Sequence, residues 1–241
     1  MCNLYTYKVL RDEVKGLLDH FKLVGKEWAR VFDKEMLGLN EFGQVYPGYS
    51  APVVTVPNGE ESLERMRWGM PGPLFPPKPG EKPKRPGFIT NVRNTASGHW
   101  KPWLATTEVV VGKDTNRGGR CIVPAAAFAE PDRNTSKPVV NRWFARKDGL
   151  PFFFAGIWRE WTGDRGTIAK PDVGKHRLYS FLTTEPNSVV EPIHNKAMPV
   201  MLMTPADVKR WLYGAAADAL ALQKPAPDKS IMVRPPEKKA A

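Results

Sequence analysis

Cysteine and histidine are both scarce, with two cysteines and four histidines in 241 residues. The histidines (His20, His99, His176 and His194) are scattered and no Cys/His cluster has zinc spacing, so neither a metal nor a cofactor is expected. Cys2 and Cys121 allow one disulfide at most, and in a reducing compartment they are expected as free thiols. Long apolar runs are missing too: none is long enough to span a membrane. The N-terminus lacks the charged-then-apolar pattern of a signal peptide, so a cytoplasmic protein without membrane association is expected. Acidic residues are outnumbered, 25 against 36 lysines and arginines, for a net charge of +11. That excess favours an anionic partner, nucleic acid before a membrane surface, although the basic residues are dispersed and part of the excess serves solubility.

What is present is an ordinary globular composition, 41% hydrophobic, with aromatics spread along the chain. Leu10, Val14, Leu17, Leu18 and Phe21 recur at helical spacing and predict an amphipathic helix over 10–22. A second short helix is expected over 27–38. His20 reads as a helix-surface or packing residue. Strands are expected after the turn that opens 46–57, then around 108–111, 120–124, 176–184 and 197–203. Residues 141–146 and 151–161 read as strands paired across Asp148-Gly149. Residues 88–90 look strand-like, with a short helix capped by Asn, Thr or Ser after them, and 162–175 reads as a loop. A short helix is expected over 185–193. Residues 204–214 carry a complete helix signature: Thr204 as cap, Pro205 first, Asp207 in the first turn, Gly214 at the end.

Residues 71–87 are too rich in proline for a helix or a central strand and predict an exposed basic loop, more a linker than a track for phosphates. From Gln223 onward the Pro/Lys-rich chain predicts a disordered tail. With no internal repeat and no boundary, a single domain over 1–222 is expected. The mixture of short strands and few helices predicts an α+β fold built on a strongly bent sheet or partial β-barrel.

The chemistry concentrates at the start. If Met1 is removed, Cys2 carries an α-amine with a pKa near ~8 and a thiol near ~8.5 on adjacent carbons. Such a pair can condense with an aldehyde to an imine and close a thiazolidine ring, or act as nucleophile and base on a carbonyl. Taken singly, Cys2 is an ordinary second residue, Glu130 a strand-end carboxylate, Trp68 a core aromatic and Cys121 an inert core thiol.

Together the pieces say more. Met1-Cys2, RWGM (67–70), Asn91-x-Arg93, RCIVP (120–124) followed by F-x-E ending at Glu130, FAGIW (154–158), and TTE…PIH…MPV (183–200) occur in order. This ordered set, spanning about 1–213, resembles the SOS-response-associated peptidase family, the abasic-site processing proteins. The resemblance implies autocatalytic loss of Met1, and then a thiazolidine between Cys2 and the aldehyde of an abasic site in single-stranded DNA. It implies Cys2 as nucleophile, Asn91 holding the N-terminal residue or the sugar, Glu130 as general acid/base, and His194 over the sugar. For DNA contacts it points to Trp68, Arg93, Thr183 and Lys196. A monomer is expected, nucleoid-associated if the source is bacterial. An N-terminal-cysteine peptidase or amidohydrolase, and a non-catalytic single-stranded-DNA-binding module, are the alternatives. The chain departs from the family pattern at Asn3-Leu4 (Gly-Arg is usual), at Ala129 and Pro131 (aromatics are usual), and at Asn195-Lys196 (an acidic residue, then arginine).

Overall fold

A computed structural model describes residues 2–7, 43–74, 76, 79–80, 85–105, 117–135 and 138–234. The helices expected at 10–22 and 27–38 with His20, the strand at 108–111, and part of the proline-rich loop lie outside the described residues. In chain order the strands are β1 (Leu4–Thr6), β2 (Gln44–Val45), β3 (Ser50–Thr55), β4 (Ser62–Trp68), β5 (Met70–Pro71), β6 (Phe88–Ile89) and β7 (Asn91–Val92). After helix α1 (Lys101–Ala105) come β8 (Gly118–Ala125), β9 (Ala127–Asp132), β10 (Val140–Arg146), β11 (Phe152–Asp164) and β12 (Val173–Thr184). The chain closes with β13 (Met198–Pro199), β14 (Met201–Leu202), α2 (Pro205–Tyr213), α3 (Ala216–Leu220) and β15 (Ile231–Val233).

Five strands form a ring: β12 pairs with β4, β4 with β3, β3 with β8, β8 with β11, and β11 returns to β12. The sheet expected to be bent or partly closed is thus a closed barrel, sealed by the parallel β12–β4 pair with Leu178 opposite Arg67. Residues 152–158 of β11 are buried on both faces, which is why that stretch reads as a continuous apolar run. Gly156 sits opposite Cys121 on one side and Phe181 on the other. A Cβ there would lie 2.8 Å from Cys121 Sγ and 3.2 Å from Val123 Cγ2. Gly156→Ala is therefore expected to cost roughly 1–3 kcal/mol, read as a melting temperature several degrees lower. An unchanged melting temperature would mean that β8 gives way without strain.

A second sheet, in the order β15-β10-β9-β1-β2, lays the start of the chain against the barrel. Tyr5 is the plug between them. Its ring meets Trp68, Phe154 and Phe181 edge-on, and its hydroxyl lies 2.6 Å from that of Tyr179.

Several local expectations change. The strands at 141–146 and 151–161 form, but they do not pair with each other. β10 joins β9 and β15, whereas β11 joins the barrel. Asp148 is held by Arg146, and Pro151, with no N–H to give, precedes β11. The loop expected over 162–175 is shorter, because the β11–β12 ladder runs on to Asp164–Val173. Within 185–193, residues 188–193 form successive turns in place of a helix. There the Asn187 side chain accepts from the N–H groups of Val189 and Val190 at 3.3 and 3.1 Å, competing with helical pairing. The strand over 197–203 is split: β13 pairs with β12 and β14 with β11.

The expected disordered tail is corrected through residue 234. Gln223 Nε2 donates to the carbonyls of Arg93 and Thr183, each at 2.9 Å, Asn187 Nδ2 donates to Ala226 O at 2.9 Å, and β15 pairs with β10. A proline-rich composition disfavours helices, but not an extended segment whose backbone groups find partners. The helix at 205–213 is as expected, with Thr204 Oγ1 accepting from Asp207 N at 3.1 Å. Among the described residues no helix is long and apolar enough to cross a membrane.

Candidate active site

The two sheets meet at the start of the chain. β1 runs antiparallel to β9 with Leu4 opposite Ala129, and the Cys2 thiol, just before β1, is near enough to the Glu130 carboxyl to feel its charge. β7 runs parallel to β12, with Asn91 opposite Phe181. From there Asn91 Nδ2 donates to Cys2 O and to Thr90 Oγ1, each at 2.8 Å. His194 arrives from the turns after β12, its N–H donating to Val190 O at 2.8 Å and its Nδ1 lying 3.8 Å from Glu130 Oε2. The structure thus gathers Cys2, Asn91, Glu130 and His194, which are far apart in sequence.

Glu130 is fully buried, and neither of its carboxyl oxygens accepts a hydrogen bond from the described residues. Burial pushes its carboxyl up to about 7. His194 moves the other way, down to about 4, through burial and then nearby positive charge that includes Arg133 and Lys196. At pH 7 a neutral imidazole therefore faces a carboxyl near half protonation, at a distance too long for a hydrogen bond. This contact is not an ion pair. The Cys2 thiol is pushed well above its ordinary range, by burial first and by the Glu130 charge second. Its Sγ donates to Leu4 O at 3.4 Å. In the chain that retains Met1, burial therefore keeps the thiol protonated at neutral pH.

The raised Glu130 value carries a stability consequence for the chain that retains Met1. The folded state holds the proton more tightly than the unfolded chain, so its stability is fully present below the ordinary carboxyl range and is lost as pH rises through about 7. The melting temperature is expected to fall between pH 5 and pH 8 by an amount that Glu130→Gln removes; thermal denaturation of both chains across that range reads the difference.

The DNA-contact candidates divide. Trp68 is corrected: it is wholly buried, stacked on Phe181 with ring centroids 5.0 Å apart, and its Nε1 donates to Thr90 O at 3.0 Å. Its position on β4 points it into the barrel, where no base can stack on it. Thr183 is also buried, on β12 opposite Pro199. Arg93 and Lys196 are exposed beside the site. Arg93 Nη1 donates to Lys196 O at 3.3 Å, and Nη2 meets Glu185 Oε2 at 3.3 Å in a solvent-screened pair. Two neighbours of the site escaped the sequence reading. Thr90 fixes the Asn91 amide. Arg133 stands three residues past Glu130, where only the turn-forming composition DRNT marked the place. Among the described residues no three His, Cys, Asp or Glu side chains gather in a group that could hold a metal ion.

Two of the departures from the family pattern fit locally. Leu4 is buried in the β1–β9 ladder, as is Ala129 opposite it.

Known proteins resemble this chain in sequence and in fold. A family model described as "SOS response associated peptidase (SRAP)" matches residues 1–239. Abasic site processing protein YoqW of Bacillus subtilis is 30% identical over 190 residues, covering 74% of this chain and 73% of the relative. YoaM of the same organism, with the same descriptive name, is 29% identical over 182 residues, covering 70% and 67%. Among solved structures, a Bordetella bronchiseptica protein superposes with a TM-score of 0.63 at 21% identity, covering 96% of this chain and 98% of the other. A Bacteroides thetaiotaomicron protein does so at 0.64 and 17%, covering 96% and 90%. These last two likenesses establish the fold.

Proposed function

We propose, from the premise that this chain belongs to the SOS response associated peptidase family, that it processes abasic sites by capturing their aldehyde in single-stranded DNA as a thiazolidine on Cys2, after removing its own Met1. The observation that carries this reading is a set of buried acceptors without donors around Cys2. Both Glu130 oxygens and Asn91 Oδ1 receive no hydrogen bond from the described residues. Buried acceptors of this kind are costly unless a donor arrives. Loss of Met1 creates one there, an α-ammonium with three N–H groups. The relatives' name, abasic site processing protein, and the net charge of +11 favour DNA as the source of the aldehyde.

The protonation states order the steps. The thiol is held protonated, so the α-ammonium, once it has given one proton to solvent, attacks first as the amine. His194, neutral at pH 7, takes the proton of the anomeric hydroxyl as the sugar ring opens and returns it to the ring oxygen. The amine adds to the aldehyde, and protonated Glu130 donates to the departing hydroxyl to give an iminium and water. The Cys2 sulfur then adds to the iminium carbon and its proton passes to the Glu130 carboxylate. Aldehyde plus aminothiol become thiazolidine plus one water, and Glu130 ends as it began. Asn91 holds the Cys2 carbonyl throughout, which aims both nucleophiles at one carbon.

A denaturing gel tests the reading. The protein is incubated with a single strand carrying one abasic site, beside an undamaged strand. A slower band on the abasic strand alone is expected. Protein that has lost Met1 yet forms no such band would turn the assignment to an N-terminal-cysteine amidohydrolase.

A further inference from the structure

We infer that Arg133 is a phosphate-binding residue of this site, gripping the DNA backbone beside the sugar that Cys2 attacks. The inference rests on the proposed DNA substrate and adds a contact to it. β9 carries Glu130, ends at Asp132, and turns at once. Three side-chain bonds fix that turn. Asp132 Oδ1 accepts from Asn134 N at 3.1 Å, Asp132 O accepts from Thr135 Oγ1 at 2.7 Å, and Asp132 Oδ2 meets Arg142 Nε at 3.0 Å. Its far side is tied to the segment bearing His194, because Asn134 Nδ2 donates to Pro192 O at 2.7 Å. Arg133 is held between these two anchors, exposed, and close enough for its charge to act on His194.

Its position is unusual for a structural arginine. The Asp132 carboxylate is already occupied by Arg142 and Asn134, and Glu130 is buried. Glu185, on the other side, is paired with Arg93. Among the described residues the Arg133 guanidinium makes no hydrogen bond or ion pair. Arg133 and Lys196 therefore bring positive charge close to His194, and Arg93 lies against the Lys196 carbonyl. A phosphodiester is the anion that suits the place. A guanidinium binds it in bidentate fashion, and the fixed turn keeps the fork in register with the sugar pocket.

The test uses the full chain with Met1 removed and a short single strand carrying a tetrahydrofuran abasic analogue, which has no aldehyde and binds reversibly. Affinity is measured by fluorescence anisotropy over a series of salt concentrations. Arg133→Ala is expected to weaken binding several-fold and to flatten the plot of log K against log salt by about 0.7. Arg133→Lys is expected to keep the slope while losing part of the affinity. With a true abasic strand at saturation, the pH profile of adduct formation by Arg133→Ala is recorded beside that of the unsubstituted chain. An unchanged salt slope overturns the inference. So does a saturating rate whose pH profile shifts while the slope stays fixed, since Arg133 would then act through His194. The analogue requires no chemistry, so this result is independent of whether the aldehyde is captured. Loss of slope in a protein that forms no adduct would keep the phosphate contact and sink the capture reaction.

Discussion

Glu130→Gln is expected to slow adduct formation at pH 7 by about 10²–10³, scored on protein whose mass shows Met1 removed. Glutamine keeps the shape and the burial but can neither give up nor receive the proton that the carbinolamine and the thiol require. The pH profile should change as well. In the unsubstituted chain the rate needs a protonated Glu130, which burial raises to about 7 while Met1 is still present, and an unprotonated amine, whose ordinary value is near ~8. A bell-shaped profile peaking between those values is expected. In Glu130→Gln only the rising limb, from amine deprotonation, should remain. Single-turnover rates from pH 5 to 9 read both features. A bell that survives the substitution would remove Glu130 from the proton transfers.

Cys2→Ala separates the amine from the thiol. With Met1 absent the α-amine is still there, so the first condensation proceeds but the ring cannot close. The adduct that survives denaturation is expected to vanish. Borohydride added during the reaction should recover a band on the abasic strand, because it reduces the imine to a stable amine. Recovery without borohydride would mean that the sulfur is not needed for the stable product. No recovery with it would mean that the amine does not lead. The buried, protonated state of the thiol favours the amine-first order, since a raised thiol pKa leaves little thiolate to begin the attack.

How much of this was legible in the sequence depends on the range of the interaction involved. The helix at 205–213 follows from residues within one turn of each other, and its cap forms as its composition dictates. The burial of Cys121 follows from its apolar strand. By contrast, barrel closure depends on a parallel pair between residues 67 and 178, and nothing local announces it. The turn at Asp148-Gly149 looked like a hairpin, yet it passes the chain from one sheet to another, because the apolar faces of 152–158 belong in the barrel. The four site residues were named from the order of short motifs. Their convergence is set by two long-range registers, Leu4 with Ala129 and Asn91 with Phe181. The DNA contact at Trp68 came from the family resemblance alone; read singly it is a core aromatic, and its buried ring lies against Tyr5. Gln223 and Arg133 carried no pattern, because a side chain that ties or faces a site from across the fold leaves no periodic trace.

The most direct test of the central claim is the intact mass of the protein before and after incubation with an abasic single strand. The account predicts a protein short of Met1, and then a single new species equal to protein plus DNA less one water, on the abasic strand only. A protein that keeps Met1 and still forms the adduct, or an adduct whose mass retains that water, would contradict ring closure at the Cys2 amine and thiol.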